Sequence, residues 1–179
     1  MSHAEVHSLR TERLSLRPAA VADAREIASL ANDKVIAEMT ARIPYPYGLE
    51  HAANWLNNLA EGPETAFVAI DGTEIVGVGG VSMLAPHRAE IGYWVGAPFR
   101  RRGFAKEIAG ALIDFAFSRA GTEELVVSHF VDNSASERVI KSFGFTFLEF
   151  IDLWSEGRGV LVPTAVYLMT REDAAKRHR

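Results

Sequence analysis

The sequence predicts an α+β fold: a mixed, mostly antiparallel central sheet with one parallel strand-helix-strand crossover and flanking helices. Three observations predict it. The Asp71-Gly72 step separates two apolar runs of strand length, a strong local hairpin signal. The strand-like run "RAEIGYWV" is followed by a helical repeat and then by a second buried strand over residues 123–131. A connection of that length joins parallel neighbours. Two long strands, roughly residues 145–154 and 160–170, then close the chain.

Each element follows from its local pattern. In "RTERLSLRP", Leu14 and Leu16 alternate with polar residues as in a strand. In "ADAREIASLAND", Ile27, Leu30 and Ala31 recur at helical spacing. The Pro-rich "RIPYPYGL" is irregular because each proline restricts the residue before it, so it forms a loop between helices. "LEHAANWLNNLAE" carries Trp55, Leu56 and Leu59 on one helical face. "TAFVAI" and "EIVGVGGVSML" are the hairpin strands, and the glycines of "GVGG" relieve crowding or mark a bulge. Ile108, Leu112 and Phe115 define a helix over residues 105–117. "NSASERVIKSFGF" is a short helix with Ser134 and Glu137 in capping-box spacing and Gly144 past its end.

Composition narrows the function classes. A chain of 179 residues, 48% of them hydrophobic, supports one well-buried core, so one domain over residues 1–179 is expected. The net charge of -4 argues against broad nucleic-acid binding, which needs a basic face. No window approaches the roughly 20 apolar residues that span a bilayer, and the N-terminus carries no apolar signal core. A soluble, cytoplasmic protein without a membrane partner is expected. The absence of cysteine excludes disulfides, thiolate zinc sites and cysteine nucleophiles. His87 and Glu90 lack metal-ligand spacing and have no evident third partner, so no metal is expected.

Against this acidic background, Arg100, Arg101 and Arg102 stand just before Gly103 and a helix. Cations at the positive end of a helix dipole are mildly destabilising unless an anion sits among them. A strand followed by Pro98, Gly103 and a helix gives a turn whose successive N–H groups point into one concavity. A phosphate group suits that concavity; a solvated basic turn is the alternative. The P-loop is excluded because Phe104 and Ala105, not Lys and Ser or Thr, follow Gly103. The glycines at 77–80 lie within a strand and open no helix, which excludes a dinucleotide fingerprint.

The pattern Arg100-x-x-Gly103-x-Ala105 between strand and helix resembles the coenzyme A pyrophosphate loop of the GNAT N-acetyltransferase superfamily. "TERLSLRP", "IPYPY", "AEIGYWV", "NSASERVIKSFGF" and "YLMTRED" resemble, in order, its RimJ/RimL-type branch, which acetylates protein N-termini. The resemblance covers nearly the whole chain and implies the GNAT fold with acetyl-CoA as donor. It places the donor where the strand ending in Trp94 and Val95 splays from its parallel neighbour. The pyrophosphate falls on the amides of Arg101, Arg102, Gly103, Phe104 and Ala105, with Trp94 as a main-chain contact. It also implies that Asn133 holds pantetheine, that Ser136 donates a proton toward the thiolate, and that Glu90 takes the amine proton directly or through water. The N–H of Val95 is the natural oxyanion donor.

Each assignment has a plainer alternative. Glu90 also reads as a strand glutamate on a wet face, and Asn133 and Ser136 as ordinary cap residues. Tyr93 and Trp94 read as core or pocket wall. His129 reads as a structural histidine or as lining of the acceptor channel. Many family members carry a tyrosine acid four residues after Ser136, where this chain has Ile140. No nucleophile elbow exists, which leaves direct attack on the thioester. An α-amine, with a pKa of about 7.8, loses its proton at pH 7 for about 1 kcal/mol, against about 4.6 for a lysine. The expected acceptor is therefore a protein or peptide N-terminus. A small amine such as an antibiotic or polyamine, or a non-catalytic acyl-CoA-binding module, is the rival reading. Whether the chain forms a homodimer is left open.

Overall fold

The computed structural model describes residues 7–177. Among these, eight strands form one sheet. In chain order they are β1 (Leu9–Arg10), β2 (Ser15–Pro18), β3 (Glu64–Asp71), β4 (Glu74–Ala85), β5 (Arg88–Val95), β6 (Glu124–Phe130), β7 (Thr146–Ser155) and β8 (Val160–Thr170). Their spatial order is β1-β2-β3-β4-β5-β6-β8-β7, antiparallel throughout except for the β5/β6 pair. The helices are α1 (Ala24–Ala31), α2 (Lys34–Met39), α3 (Leu49–Leu59), α4 (Phe104–Ser118), α5 (Ser134–Ser142) and α6 (Arg171–Lys176). The mixed α+β sheet with its single crossover is as expected.

Helices cover both faces. On one face, α4, α5 and α6 pack a core that includes Phe67, Ile108, Leu112, Leu125, Ile140 and Met169. On the other, α1 and α3 bury Ile27, Ala52 and Leu56 against Val68 and Val78. Burying each large side chain contributes about 1.5–3 kcal/mol. The β4 glycines set how closely α4 approaches. A Cβ at Gly79 would lie 2.7 Å from Ile108 and 2.8 Å from Leu112, and one at Gly77 would strike the Trp94 carbonyl. These glycines relieve crowding, and α4 rests almost directly on the β4 backbone.

Some elements differ from expectation. In the β3–β4 hairpin Asp71 pairs with Glu74, so the turn residues are Gly72, at φ +62°, and Thr73. The cap of α5 is Asn133 rather than Ser134: Asn133 Oδ1 accepts the Ser136 N–H at 3.1 Å. The carboxamide reaches the exposed amide that Ser134, already helical, cannot. Gly144 does follow the helix, at φ +80°. The strand β1 and the helices α2 and α6 were not expected; at two to six residues they are too short to show a period.

Two features position the site. Pairing of β5 with β6 is confined to Arg88↔Glu124, Ala89↔Leu125 and Glu90↔Val126. Beyond Glu90, β5 stays on β4 through Val95 and β6 stays on β8 through Phe130. Their facing edges therefore part and open a gap. The β7–β8 turn, in addition, is tied to α2. Arg158 donates to the Glu38 carbonyl at 2.6 Å and to Asp132 at 2.8 and 3.0 Å, and Gly157 lies against the Ala37 backbone.

Candidate active site

The chain leaves β5 at Val95, makes one 3-10 turn over Ala97–Phe99 and enters α4 through a loop. Arg101, at φ +62°, and Gly103, at φ +83°, both occupy the left-handed region. Alternation of this kind turns successive amides to one side and builds an anion-binding concavity. Among the described residues, no group accepts from the N–H groups of residues 101–105, while Gly103 O receives the Lys106 and Glu107 amides. Arg13 fixes the loop from outside, donating to the Arg102 carbonyl at 2.7 Å and to Glu107 at 2.6 Å.

The arginine triplet is only partly available to an anion. Arg100 pairs with Asp33 at 3.0 Å, and Arg102 with Asp71 at 3.2 Å. Burial opposes the Asp33 charge, yet Arg100 and the Ile36 N–H hold its pKa below the ordinary value. Arg102 and Arg13 lie over the Phe104 ring, 4.7 and 4.8 Å from its centroid. Arg101 is exposed and has no carboxylate partner among the described residues. Two of the three cations at this helix start are thus balanced within the protein. The anions expected among them are, for these two, carboxylates of the protein itself.

In the gap, backbone parity decides what faces the opening. Gly96 N–H bonds to Val76 O at 2.9 Å, so the N–H and C=O of Val95 turn away from β4, toward the gap. Those of Trp94 turn toward β4, where Trp94 pairs with Val78. The main chain of Trp94, expected as a contact, is thus turned away from the gap, and that of Val95 toward it. The Trp94 ring packs on the α1/α3 side. On the α4/α5 side, Tyr93 Oη lies 3.3 Å from Ser136 Oγ. Burial raises the Tyr93 pKa, and the contact with Ser136 opposes that shift. Ile140 is buried in the core and leaves α5 without a phenol at that position.

Glu90 stands where the gap begins, on the opposite face of the sheet from Tyr93. Burial raises its pKa above the ordinary carboxyl value; Arg42 lowers it, Glu64 raises it further and the Ser128 hydroxyl lowers it. A cleft of about 1240 Å³ runs from the loop at 101–106 through the gap to Glu90, Trp55, His51 and Tyr47. Tyr47 and His51 stack at 5.2 Å. The site residues read from the sequence (Glu90, Trp94, Val95, Arg100, Arg101, Gly103, Phe104, Ala105, Asn133 and Ser136) all line it, whereas Arg102 points to Asp71. His129 does not share the Glu90 face: it alternates with Ser128, stacks on Tyr167 at 5.6 Å and holds the Phe130 carbonyl at 2.8 Å. Sequence reading missed Glu64 and Arg42, which meet across 22 residues; the absent side chain at Gly80, beside Glu64, was the available signal. No helix is long and apolar enough to cross a membrane, and no group of three His, Cys, Asp or Glu able to hold a metal occurs among the described residues.

Known proteins resemble this chain in sequence and in fold. A model described as "Acetyltransferase (GNAT) domain" matches residues 13–146. The uncharacterized N-acetyltransferase YoaA of Bacillus subtilis (strain 168) is 32% identical over 152 residues, covering 76% of this chain and 81% of its own length. Among solved structures, the ribosomal L7/L12 α-N-protein acetyltransferase RimL, in complex with coenzyme A, has TM-score 0.81 at 20% identity and covers 94% of this chain and 99% of its own. The microcin C7 self-immunity acetyltransferase MccE, in complex with acetyl-CoA and AMP, has TM-score 0.77 at 20% identity, with 89% and 93% covered. The match over residues 13–146 places the chain among the acyltransferases. The chain belongs to the GNAT acetyltransferase family and is an acetyl-CoA-dependent N-acetyltransferase.

Proposed function

We propose that the acceptor is the α-amine of a protein or peptide N-terminus and that transfer is by direct attack across the gap. One observation carries the reading: the gap opens at Glu90, so a carboxylate on one face of the sheet meets a donor channel on the other. The amides of Arg101, Arg102, Gly103, Phe104 and Ala105 hold the donor pyrophosphate, with Arg101 adding charge. Asn133 and the Val95 backbone hold the pantetheine. Acetyl-CoA supplies an activated acyl carbon and a thiolate leaving group.

The protein's part is to place and move protons. Glu90 takes one from the incoming ammonium, directly or through a water, and frees its lone pair. The amine adds to the thioester carbon, forming the N–C bond and an oxyanion that the Val95 N–H stabilises, and the C–S bond breaks as this intermediate collapses. Ser136 gives its proton toward the departing sulfur and is reprotonated, through solvent, by the second amine proton, and Glu90 then releases its proton to solvent. Products are an N-acetylated chain and free coenzyme A. The resemblance of RimL, an α-N-protein acetyltransferase, supports this acceptor class.

A small-amine acceptor is the second reading, favoured by the Tyr47–His51 aromatic wall and by the likeness to MccE. A free-thiol assay over a panel of peptides and small amines separates them. The peptide reading expects turnover on free N-termini, none on blocked peptides with an internal lysine, and acetyl groups mapped to the α-amine by mass. Acetylated lysine, or turnover only with small amines, overturns it.

A further inference from the structure

We propose that Glu64 is a specificity-determining residue of the acceptor site: it and Glu90 together bind the acceptor amine as the protonated ammonium ion before the proton is removed. The proposal rests on the reading of Glu90 as base and adds the charge state in which the acceptor is recognised.

The register places the two carboxylates in one row. Glu64 of β3 pairs with Ser82 of β4, and Ser82 pairs with Glu90 of β5. Side chains in such a row share a face of the sheet, and here all three line the cleft. The fold reserves space for Glu64. Gly80 is next on that face, and a Cβ there would lie 2.8 Å from Glu64 Oε1. Arg42 Nη1 reaches only Oε2, at 3.3 Å. Among the described residues nothing donates to Oε1. The Arg42 side chain is 73% exposed and that of Glu64 only 15%, so the carboxylate is the fixed member and the guanidinium the solvated one.

An ammonium group offers three N–H donors and no acceptor. It satisfies Glu64 Oε1 with one donor while presenting another to Glu90. At pH 7 most of an α-amine is in this form, its ordinary pKa being about 7.8. Glu64 takes no part in the proton transfer. The proton passes from nitrogen to the Glu90 carboxylate, which becomes the carboxylic acid and leaves a neutral amine at the gap. The groups facing Glu90 are Arg42 from the Pro-rich loop, Glu64 from β3, Ser82 from β4 and Ser128 from β6. Of the two charged ones, Glu64 opposes Glu90 ionisation and Arg42 favours it.

The test uses the full chain with Glu64→Gln, Arg42→Gln and Glu90→Gln. Glu64→Gln is expected to raise the acceptor KM about tenfold with a smaller loss in kcat, and to move the acid limb of kcat/KM to lower pH. Arg42→Gln moves that limb to higher pH. An N-terminally dimethylated peptide stays cationic and forms no stable amide; it should inhibit the wild type competitively and the Glu64→Gln enzyme about tenfold less. The acetyl-capped peptide, which is neutral, should inhibit neither. Calorimetric coenzyme A binding reports folding of each variant. Unchanged KM, inhibition and acid limb in Glu64→Gln, with turnover lost in Glu90→Gln, overturn the role of Glu64 and leave the base in place. Wild-type turnover in Glu90→Gln overturns both. Should Glu64→Gln not fold, the wild type decides: inhibition by the dimethylated peptide no stronger than by the acetyl-capped one overturns recognition of the ammonium ion, and inhibition by the cationic peptide alone supports it.

Discussion

Tyr93 Oη and Ser136 Oγ lie 3.3 Å apart and join β5 to the first turn of α5 beside the gap. With its pKa raised by burial, the phenol stays protonated at working pH and is able to donate to Ser136, leaving the serine proton for another acceptor. Ser136→Ala and Tyr93→Phe are each expected to lower kcat modestly. Combined, they should cost little more than either alone, with a coupling of about 0.5–1.5 kcal/mol in a double-mutant cycle. Fully additive losses would show that the two hydroxyls act separately.

Glu90→Gln should lower turnover by about 10²-fold or more while coenzyme A affinity, read by calorimetry, stays near wild type. The same change bears on stability, and its sign follows from the raised pKa. Between the unfolded and folded pKa values the folded chain binds more protons, so wild-type stability falls as pH rises through that window. The variant escapes the cost of the buried charge. Its thermal midpoint should exceed that of wild type at neutral pH, and the difference should shrink below the ordinary glutamate range. An enzyme that loses both activity and stability on this substitution does not use Glu90 as a strained buried base.

Gly103→Val places a branched side chain at φ +83°, with its Cβ 3.1 Å from Arg13 Nη2. The strain distorts the loop at 101–105, and coenzyme A binding should fall severely in calorimetry. A folded variant with unchanged affinity removes this loop from the donor site.

Asn133→Ala removes the side-chain cap of α5 and should cost about 1 kcal/mol in denaturant unfolding. If Asn133 served only as a cap, coenzyme A affinity would not change. The pantetheine role requires a loss of affinity at temperatures where the variant is fully folded.

The legible parts of this molecule are those whose determinants lie close together in the chain. β5 spans Arg88–Val95 as read, because its eight residues are bounded by a turn and by Gly96–Pro98. The crossover was legible because Ile108 and Leu112 carry a helical period over fifteen residues of α4. Glu64 escaped notice because strand register, which no local pattern specifies, brings it to Glu90, and Arg42 because a loop 22 residues earlier folds onto Glu64. The arginines show the opposite failure. Three adjacent charges read as one feature, yet Asp33 and Asp71, each far away in sequence, divide them. Trp94 and Val95 likewise differ by one step of strand alternation, visible only once Gly96 is seen bonded to Val76.

The bare β4 backbone under α4 also bears on how the donor binds. Gly79 presents no side chain of its own to Ile108 or Leu112, so these two helix side chains pack directly on the β4 main chain. The N-terminus of the helix, one turn before Ile108, is thereby set at a fixed height over the sheet. For a donor held at that terminus, as proposed, binding would then order little protein.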